Sequence, residues 1–512
     1  MTTHDSSQIP SDLTPAGRRI AILASVLGSF LTPFMISAVN VALPVIGREL
    51  GLDAVLLNWV PTAFLLASSV FLLPCGRLAD LWGRKAVYQW GIALFTATSL
   101  LLGLVEGPVG LVALRALQGM AGSMVFATGP AILASIFGPG ERGRALGINV
   151  AAVYFGLSAG PFLGGVMTVQ FGWRSLFLAP VPLGVLALVL LWRGLPQEWR
   201  TAGPAQPFDR GGALLYAAGL IALIVSLSFL PGVAGWSLLA VGVAGLAVFL
   251  WWETRVQAPL LPVALFLDNR VFAFANLASL IHYAATYANS FLLSLFLQKA
   301  RGLSPREAGT VLVVQPLVQA VCSPAAGWLS DRWDPRLLAS GGMGLTMAGL
   351  VALAGSTAAT SLAWLVVVLG VMGFGFALFS SPNINCVMSA VTPRDYGLAA
   401  GVQSTMRVLG QMTSMAVTML LFALLIGAVE IDAQRLPAFL QTFRLAYLIF
   451  AGLCALGILA SLARGPGQPP RAAPPTVAAP PTTATAGPRA APVLPPAGNA
   501  PASSLPSGDD HG

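Results

Sequence analysis

The sequence predicts an all-α integral membrane protein with fourteen transmembrane helices, and its composition is the first observation behind this prediction. Of the 512 residues, 56% are hydrophobic and only 9% are charged, and the mean hydropathy is +0.79. Soluble domains carry far more charge, whereas polytopic helical membrane proteins have this balance.

The second observation is the series of apolar segments along the chain. Each segment has about 20 residues, which is enough to span the hydrocarbon core of a bilayer. The fourteen segments are centred near residues 32, 65, 96, 121, 157, 184, 221, 244, 284, 318, 348, 373, 412 and 452.

The third observation is an internal repeat. A charged turn at 76–85 (GRLADLWGRK) separates the second and third segments, and a weaker copy at 327–336 (GWLSDRWDPR) stands in the second half. Two further loops, 141–147 and 394–401, follow the fourth and twelfth segments at equivalent places. Duplicated halves of this kind predict two parallel six-helix bundles with a substrate site between them.

The repeat also predicts the domain organisation. The N-terminal bundle covers 19–193, an inserted two-helix hairpin with its loops covers 194–270, and the C-terminal bundle covers 271–463. An even number of inserted helices keeps both bundles in the same orientation. Residues 1–18 form a polar tail that lacks the apolar core of a signal peptide. The Pro- and Ala-rich tail, 464–512, is expected to be disordered.

The basic residues indicate the orientation in the membrane. If the N-terminus is cytoplasmic, eighteen Lys and Arg residues fall on the cytoplasmic side, seven fall opposite, and Arg115 and Arg407 lie within helices. Such an excess marks the cytoplasmic side, so both termini are predicted to be cytoplasmic in a multi-pass protein of the cell membrane. The net charge of +8 therefore reflects topology and not nucleic-acid binding.

Missing patterns exclude several kinds of chemistry. There is no G-x-x-x-x-G-K-[ST] loop, so a nucleotide is not expected to drive this chain. With His282 as the single mid-span histidine, the sequence offers no catalytic constellation for an integral membrane enzyme. A non-transporting receptor would normally carry a sizeable soluble domain, and none is visible. No oligomeric state is indicated. Neither a metal nor a cofactor is expected, because no metal spacing relates the cysteines, which are Cys75, Cys322, Cys386 and Cys454.

The charged turn at 76–85 predicts a conformational latch between the two bundles. Asp80, near a helix end, can accept hydrogen bonds from backbone N–H groups at the start of a neighbouring helix, where the helix dipole favours a negative charge. The neighbouring basic residues can pair across the seam. The alternative is a tight turn that only marks the cytoplasmic side. The residues assigned to the latch are Gly76, Arg77, Asp80, Gly83, Arg84, Lys85, Asp331 and Arg332.

The fifth helix carries a stripe of glycines. Gly156, Gly160 and Gly164 are four residues apart, so they leave one bare face that another backbone can approach. Pro161 removes a helix hydrogen bond and permits a bend. With Gly165, these residues predict a pliable gating helix at the seam, and a simple packing stripe is the alternative.

Polar residues within the predicted helices are expected to line a central cavity. Gln403, Arg407 and Gln411 share one face of the thirteenth helix, and in lipid such a face must point inward. For any single amide, a hydrogen bond between helices is the alternative. The other residues assigned to the cavity are Asn40, Arg115, Gln118, His282, Asn289, Gln315, Gln319 and Asn385.

The distribution of charge suggests a substrate class. Every Asp and Glu falls in a tail, a loop or a helix end, whereas Arg115 and Arg407 are predicted in mid-helix. Because arginine stays protonated, this pattern favours anionic, zwitterionic or neutral amphipathic substrates over lipophilic cations. His282 is the one mid-span side chain that titrates near neutral pH, which makes it a candidate proton carrier or else a packing residue.

Four motifs stand in order on the predicted helices. They are 40–44 (NVALP) on the first, the turn 76–85, Arg115 with Gln118 and Gly119 on the fourth, and 156–165 (GLSAGPFLGG) on the fifth. Together they resemble the major facilitator superfamily, and within it the 14-helix drug:proton antiporters of the EmrB/QacA type. One departure is Met35, which stands where that family usually has an aspartate.

The resemblance covers about 19–463 and implies a function. It implies proton-coupled efflux of drug-like or amphipathic small molecules by alternating access across the bilayer. It also implies that Asp80 caps the helix that starts near Leu398. A facilitator or symporter for a metabolite anion or a lipid is the alternative. An enzyme or a receptor has less support.

Overall fold

The computed structural model describes residues 14–52, 54–194, 207–229, 232–261, 263–425 and 436–465. Nearly all of the N-terminal tail and the Pro- and Ala-rich tail from 466 onward lie outside the described residues, as does most of the loop before the inserted hairpin. Within the described ranges all regular secondary structure is helical, as the sequence predicts.

The first half of the chain forms the N-terminal bundle. Its helices are α1 (Pro15–Leu50), α2 (Ala54–Trp82), α3 (Arg84–Gly103), α4 (Pro108–Ile136), α5 (Arg142–Phe171), α6 (Arg174–Leu178) and α7 (Pro180–Gly194). Two helices of the inserted hairpin follow, α8 (Arg210–Phe229) and α9 (Val233–Glu253).

The second half forms the C-terminal bundle. Its helices are α10 (Val263–Asp268), α11 (Arg270–Thr286), α12 (Asn289–Leu295), α13 (Pro305–Leu312), α14 (Val314–Ser330), α15 (Pro335–Ala354), α16 (Leu362–Ser389), α17 (Tyr396–Leu425) and α18 (Leu436–Ala463). A π-helical turn, Phe296–Ala300, continues α12.

Twelve helical segments in the described part of the chain are long and apolar enough to cross a membrane. The prediction of fourteen is therefore not confirmed. The two missing spans were expected near residues 221 and 412, which lie in α8 and α17. At the first site, the apolar stretch Arg210–Ser226 lies within α8, Arg210–Phe229. The second helix carries Gln403, Arg407 and Gln411 as a polar stripe on an otherwise apolar helix.

Each bundle has its own apolar core. In the N-terminal bundle α1 packs on α5 and α2 packs on α4, while in the C-terminal bundle α15 packs on α16 and α18. Two pairs of helices make the most extensive contacts between the bundles along a seam, α5 with α14 and α2 with α17. The buried cluster at the seam combines side chains of both bundles, among them Leu73, Leu146, Ala320 and Val402.

The inserted hairpin packs beside this seam. Its two helices approach closely because Gly242 and Gly219 leave no side chain between them: a Cβ on Gly242 would lie 2.6 Å from the backbone nitrogen of Leu223. The hydroxyl group of Tyr216 on α8 donates to the carbonyl oxygen of Ser69 on α2, at 3.1 Å. Its ring belongs to the same buried cluster as Val402 on α17. The hairpin thus contacts both helices of one seam pair.

Candidate functional site

Asp80 joins the two bundles at the end of α2. Its side chain is only 4% exposed. One carboxylate oxygen, Oδ1, accepts from the backbone N–H of Gly397 at 2.9 Å, and Oδ2 accepts from that of Leu398 at 2.7 Å. These N–H groups belong to the first turn of α17, which has no partners for them within the helix. The carboxylate therefore caps a helix of the opposite bundle, where the helix dipole favours its charge.

Asp331 makes the same arrangement in the reverse direction. It follows α14, and its carboxylate accepts from the backbone N–H groups of Gly143 at 2.8 Å and Arg144 at 3.0 Å, in the first turn of α5. Burial raises the pKa of the Asp331 carboxyl group above its ordinary value, while these two donors oppose the rise. Asn385, which the sequence assigns to the cavity, belongs to this cap instead, because its side-chain amide donates to Ser330 Oγ at 3.0 Å. The two caps together define one end of the molecule, called below the charged-turn end.

Two buried arginines surround the first cap. Arg84 donates to Asp80 Oδ1 through Nε at 3.0 Å and Nη2 at 2.7 Å, and it also donates across the seam to the carbonyl oxygen of Pro393. Arg142 of α5 donates to the hydroxyl group of Tyr396 at 2.7 Å. Both guanidinium groups lie 5.2 Å from the ring centroid of Tyr396. Of the other latch residues, Arg77 and Lys85 are buried, whereas Arg332 is exposed and stacks on Trp328 of its own bundle.

Glycines allow the helix backbones to meet at both caps. A Cβ on Gly76 would lie 2.6 Å from the carbonyl oxygen of Gly397 and 3.1 Å from the Cα of Gly401. In the second pair, a Cβ on Gly327 would lie 3.0 Å from the Cα of Gly147. Any side chain at these positions would collide with backbone of the opposite bundle.

The glycine stripe of α5 packs inside the N-terminal bundle and does not face the seam. A Cβ on Gly156 would lie 2.6 Å from the carbonyl oxygen of Phe30 on α1, and one on Gly164 would lie 2.9 Å from the Cα of Ala38. Gly160 likewise faces α1, and Gly165 makes no close approach. These contacts favour the packing alternative.

A side chain of α1 compensates for the hydrogen bond that Pro161 removes from α5. A proline at this position leaves the carbonyl oxygen of Leu157 without its helix donor. Ser37 Oγ donates to that oxygen at 2.9 Å. The interruption in α5 is therefore satisfied by a neighbouring helix, as membrane helices commonly require.

Arg115 and Gln118 lie in the interior of the N-terminal bundle. Arg115 is 1% exposed, donates to the carbonyl oxygen of Val60 at 3.2 Å and to Gln118 Oε1 at 2.6 Å, and stacks 4.4 Å from the ring centroid of Phe64. The structure does not bring Arg115 together with Arg407. Asn40 is exposed and is not part of this network.

Predicted amides of the C-terminal bundle form hydrogen bonds between its helices. Asn289 donates to Gln315 Oε1 and accepts from the hydroxyl group of Tyr447, both at 2.7 Å. Gln319 donates to Ser380 Oγ at 3.3 Å. These contacts favour structural hydrogen bonding for all three amides, although Gln315 remains partly exposed.

His282 lies in an aromatic environment within the C-terminal bundle. Its ring is fully buried, with centroids 4.0 Å from Phe379 and 4.6 Å from Phe376. Neither ring nitrogen has a hydrogen-bond partner among the described residues. A charged imidazolium would be poorly stabilised there, so this geometry favours packing over proton transport.

The middle of the seam holds three aromatic residues that the sequence analysis missed. The hydroxyl groups of Tyr154 on α5 and Tyr283 on α11 lie 3.0 Å apart and join the bundles. Arg407 of α17, which is partly exposed, lies 4.6 Å from the ring centroid of Phe126 on α4. The available signal was the position of Tyr154, two residues before the glycine stripe begins at Gly156. Near Arg407 on its helix, Gln403 is buried and Gln411 is partly exposed.

Two related bundles that are joined by paired caps at one end, with aromatic and cationic side chains at the middle of the seam, are the architecture of a membrane transporter. Comparison with known families agrees. The model of the Major Facilitator Superfamily matches residues 25–253 and 275–502. The chain belongs to this superfamily; it is a multi-pass transporter of the cell membrane and not an enzyme.

Characterised relatives cover most of the chain. It is 29% identical over 443 residues to the riboflavin transporter RibZ of Clostridioides difficile, covering 86% of this chain and 96% of the relative. It is 32% identical over 405 residues to the multidrug resistance protein Stp of Mycobacterium tuberculosis, covering 78% and 74%. It is 34% identical over 409 residues to the cephamycin export protein CmcT of Amycolatopsis lactamdurans, covering 78% and 83%.

Solved structures show the same fold. The human organic anion transporter MFSD10 superposes with a TM-score of 0.61 at 15% identity, covering 88% of this chain and all of that one. The proton:xylose symporter XylE superposes with a TM-score of 0.58 at 14% identity, covering 86% and 94%.

The caps predict that Asp80→Asn and Asp331→Asn each open the charged-turn end. The amide keeps the size of the side chain but loses the charge at the helix N-terminus, and about 1–2 kcal/mol of cap stabilisation corresponds to a roughly tenfold change in the closed-to-open ratio. Spin labels on cysteines at Trp82 and Trp333, both exposed, would report the separation by electron–electron resonance. The native cysteines would first be replaced.

Asp334→Asn is the matched control for these variants. Asp334 caps α15 of its own bundle through the N–H of Arg336 and does not reach across the seam. Its removal should leave the distance distribution unchanged. Closed distributions in both cap variants would contradict a latch role for the two aspartates.

The seam glycines give a second prediction. Gly327→Ala should widen the same distance distribution and reduce transport, because a methyl group there meets the backbone of Gly143 and Gly147. Gly341→Ala is the control, since a Cβ at that position meets nothing within 4 Å. Equal distance distributions and equal transport in the two variants would show that the close approach at Gly327 contributes to neither closure nor transport.

His282→Phe supplies a third prediction. The variant should retain the pH dependence of transport, because the ring fills an aromatic environment and makes no hydrogen bond in the described structure. His282→Ala, which leaves a cavity, should lower the melting temperature. If His282→Phe is expressed normally but its transport loses the pH dependence, the result would support His282 as a proton carrier.

Proposed function

We propose that this chain is a proton-coupled exporter of amphipathic small molecules that works by alternating access. The observation that carries the proposal is the pair of reciprocal caps, in which Asp80 and Asp331 each bind the first turn of a helix in the opposite bundle. They close one end of the seam with four backbone hydrogen bonds. We assign this end to the cytoplasmic side, with both termini cytoplasmic, because it carries the excess of basic residues.

Such a closure is well suited to reversal. When the bundles separate, the freed N–H groups and carboxylates meet water, so only the difference between the protein and water hydrogen bonds is lost. Two caps of this kind give a closed state that a modest change in binding energy can open. Two conformations of comparable free energy are the requirement for alternating access.

The middle of the seam supports a neutral or anionic substrate with an aromatic or apolar part. Arg407 offers a permanent positive charge beside Phe126, and Tyr154 and Tyr283 offer hydroxyl groups and ring faces. In the described spans the acidic residues stand at helix ends, so a lipophilic cation finds no carboxylate at mid-span. Riboflavin and cephamycin, which appear in the names of two relatives, are not lipophilic cations.

The proposal extends to the number of membrane spans and to the type of transporter within the superfamily. We propose that α8 and α17 also cross the membrane, which makes fourteen spans and the 14-helix drug:proton antiporter type. In this arrangement 19–193 and 271–463 are the moving bundles and 194–270 is an insertion that stays beside the seam. The latch consists of the residues around both caps, and Arg407 is the principal cationic contact of the substrate.

A second candidate function is uptake or facilitated transport of a metabolite anion. The relative that matches the largest share of this chain among those above is named a riboflavin transporter. A symporter would use the same two caps and the same seam. The direction of transport relative to the proton gradient distinguishes the candidates.

The test is transport in inverted membrane vesicles with an imposed proton gradient. Wild-type protein should move aromatic anions and neutral amphipathic compounds into the vesicles, and collapse of the gradient by nigericin should stop this movement. Arg407→Gln should raise KM for anions at least tenfold, since a charged contact contributes about 1.5–3 kcal/mol, and Arg407→Lys should recover part of the loss. Arg444→Gln, a change at an exposed arginine, is the control.

Three results would decide against parts of the proposal. Tight transport of organic cations would exclude the substrate class. Transport that ignores nigericin would exclude proton coupling. Movement of a metabolite only in the uptake direction would favour the symporter.

A further inference from the structure

The inserted hairpin holds a buried carboxyl group at the charged-turn end. Glu253, the last residue of α9, is 2% exposed. Its Oε2 accepts from the backbone N–H of Leu261 at 2.8 Å. Its Oε1 is fully buried and has no hydrogen-bond partner among the described residues. An ionised carboxylate with one such oxygen is poorly stabilised, whereas a proton on Oε1 gives that oxygen a hydrogen to donate.

A second carboxyl group lies beside that oxygen. Asp209 precedes α8, and its oxygens accept from the N–H of Gly212 at 2.9 Å and from Trp252 Nε1 at 3.0 Å. A Cβ on Gly212 would lie under 3.0 Å from both Glu253 Oε1 and Asp209 Oδ2. The two oxygens therefore flank one bare α-carbon, and the electrostatic influence of Asp209 reaches Glu253. Because both oxygens lie so near this one position, they are within about 5 Å of each other. Two carboxyl groups this close favour sharing a proton over double ionisation.

The charged groups that face Glu253 connect it to the first cap. On the segment before α8 the facing group is Asp209, and on α2 it is Arg77, whose charge influences Glu253. The segment around Leu261 contributes backbone. Arg77 lies three residues before Asp80, about one turn away on the same helix. A change of charge at Glu253 therefore acts on the end of α2 that caps α17.

The cover over Glu253 belongs to the link between the hairpin and the C-terminal bundle. Leu261 is buried in the seam cluster with Phe272 and Ala275 of α11. Movement of the C-terminal bundle away from α2 would draw this link away from Glu253. Water would then reach the carboxyl group and stabilise its ionised form.

We propose that Glu253 and Asp209 form a binding site for one proton, whose occupancy favours the closed charged-turn end and whose release accompanies opening. The ligand is the proton, which lies between two carboxyl oxygens when the site is closed. This inference rests on the proposed function, because it supplies a titrating carboxyl group for proton coupling, and the described residues at the middle of the seam include none. It also gives the inserted hairpin a role in coupling.

The test measures conformation, and transport is measured separately. The distance between spin labels at Trp82→Cys and Trp333→Cys is followed from pH 5 to pH 9 in proteoliposomes without a gradient or substrate. Wild-type protein should populate the open form increasingly as pH rises. Glu253→Gln, which mimics the neutral carboxyl group, should stay closed at every pH. Asp209→Asn should raise the fraction open at low pH by moving the midpoint downward by about one pH unit, since it removes a repelling charge.

Glu141→Gln is the matched control, because this carboxylate is 64% exposed at its side chain and pairs with Arg18 at the protein surface. It should keep the wild-type pH profile. A wild-type response in Glu253→Gln overturns the proposal, and if that variant does not fold, an unshifted midpoint in Asp209→Asn overturns it equally. A pH-dependent distance in a protein that shows no proton-driven transport would support the site while contradicting the proposed function.

Discussion

The structure depends on one kind of interaction, a carboxylate from one bundle that caps the first turn of a helix in the other. Helix N-termini present N–H groups that nothing within the helix can satisfy, and they carry positive partial charge. Asp80 and Asp331 supply that charge at two places where, in the described structure, glycines let backbones of the two bundles come close. The seam is thus fixed at one end by polar contacts between helix ends, and the Tyr154–Tyr283 contact joins the bundles at its middle.

At the charged-turn end the constraints visible in the sequence are local, because charged residues inside an apolar chain need partners. The repetition of the turn at 76–85 and 327–336 indicated that each half carries one such site, while the partner helix near Leu398 was implied by the family resemblance. The fold class followed from hydropathy for the same reason. The count of fourteen spans is not confirmed: α17 carries a polar stripe with Gln403 and Arg407 on an otherwise apolar helix, and it is not among the twelve spans found in the described residues. Hydropathy alone does not distinguish an inward-facing polar stripe from a helix that stays outside the membrane.

The cavity was predicted less well because its residues depend on which bundle face each side chain occupies. Arg115, His282 and Asn289 share the residue types of a polar cavity, but packing places them inside a single bundle, against Phe64, Phe379 and Tyr447. The side chains that do meet across the seam include Tyr154 and Tyr283. A search of the sequence for charged residues and amides does not find tyrosines. A single sequence contains no information about these pairings, because they join residues more than a hundred positions apart.

The carboxyl groups of Glu253 and Asp209 lie at the charged-turn end, whereas the middle of the seam carries the cationic side chain of Arg407. Arg407 is a permanent charge, and a carboxylate close to it would pair with it and weaken its contact with an anionic substrate. In the proposed mechanism, a chain with no acid among the described residues at the middle of the seam couples to protons elsewhere, at a place where opening changes hydration. The ends of α2 and α9 meet this requirement, since Glu253 is buried under the link to the C-terminal bundle and lies beside the helix that carries Asp80. In the proposed mechanism, substrate selection and proton coupling occupy different levels of one seam, and the latch is the element that both of them bias.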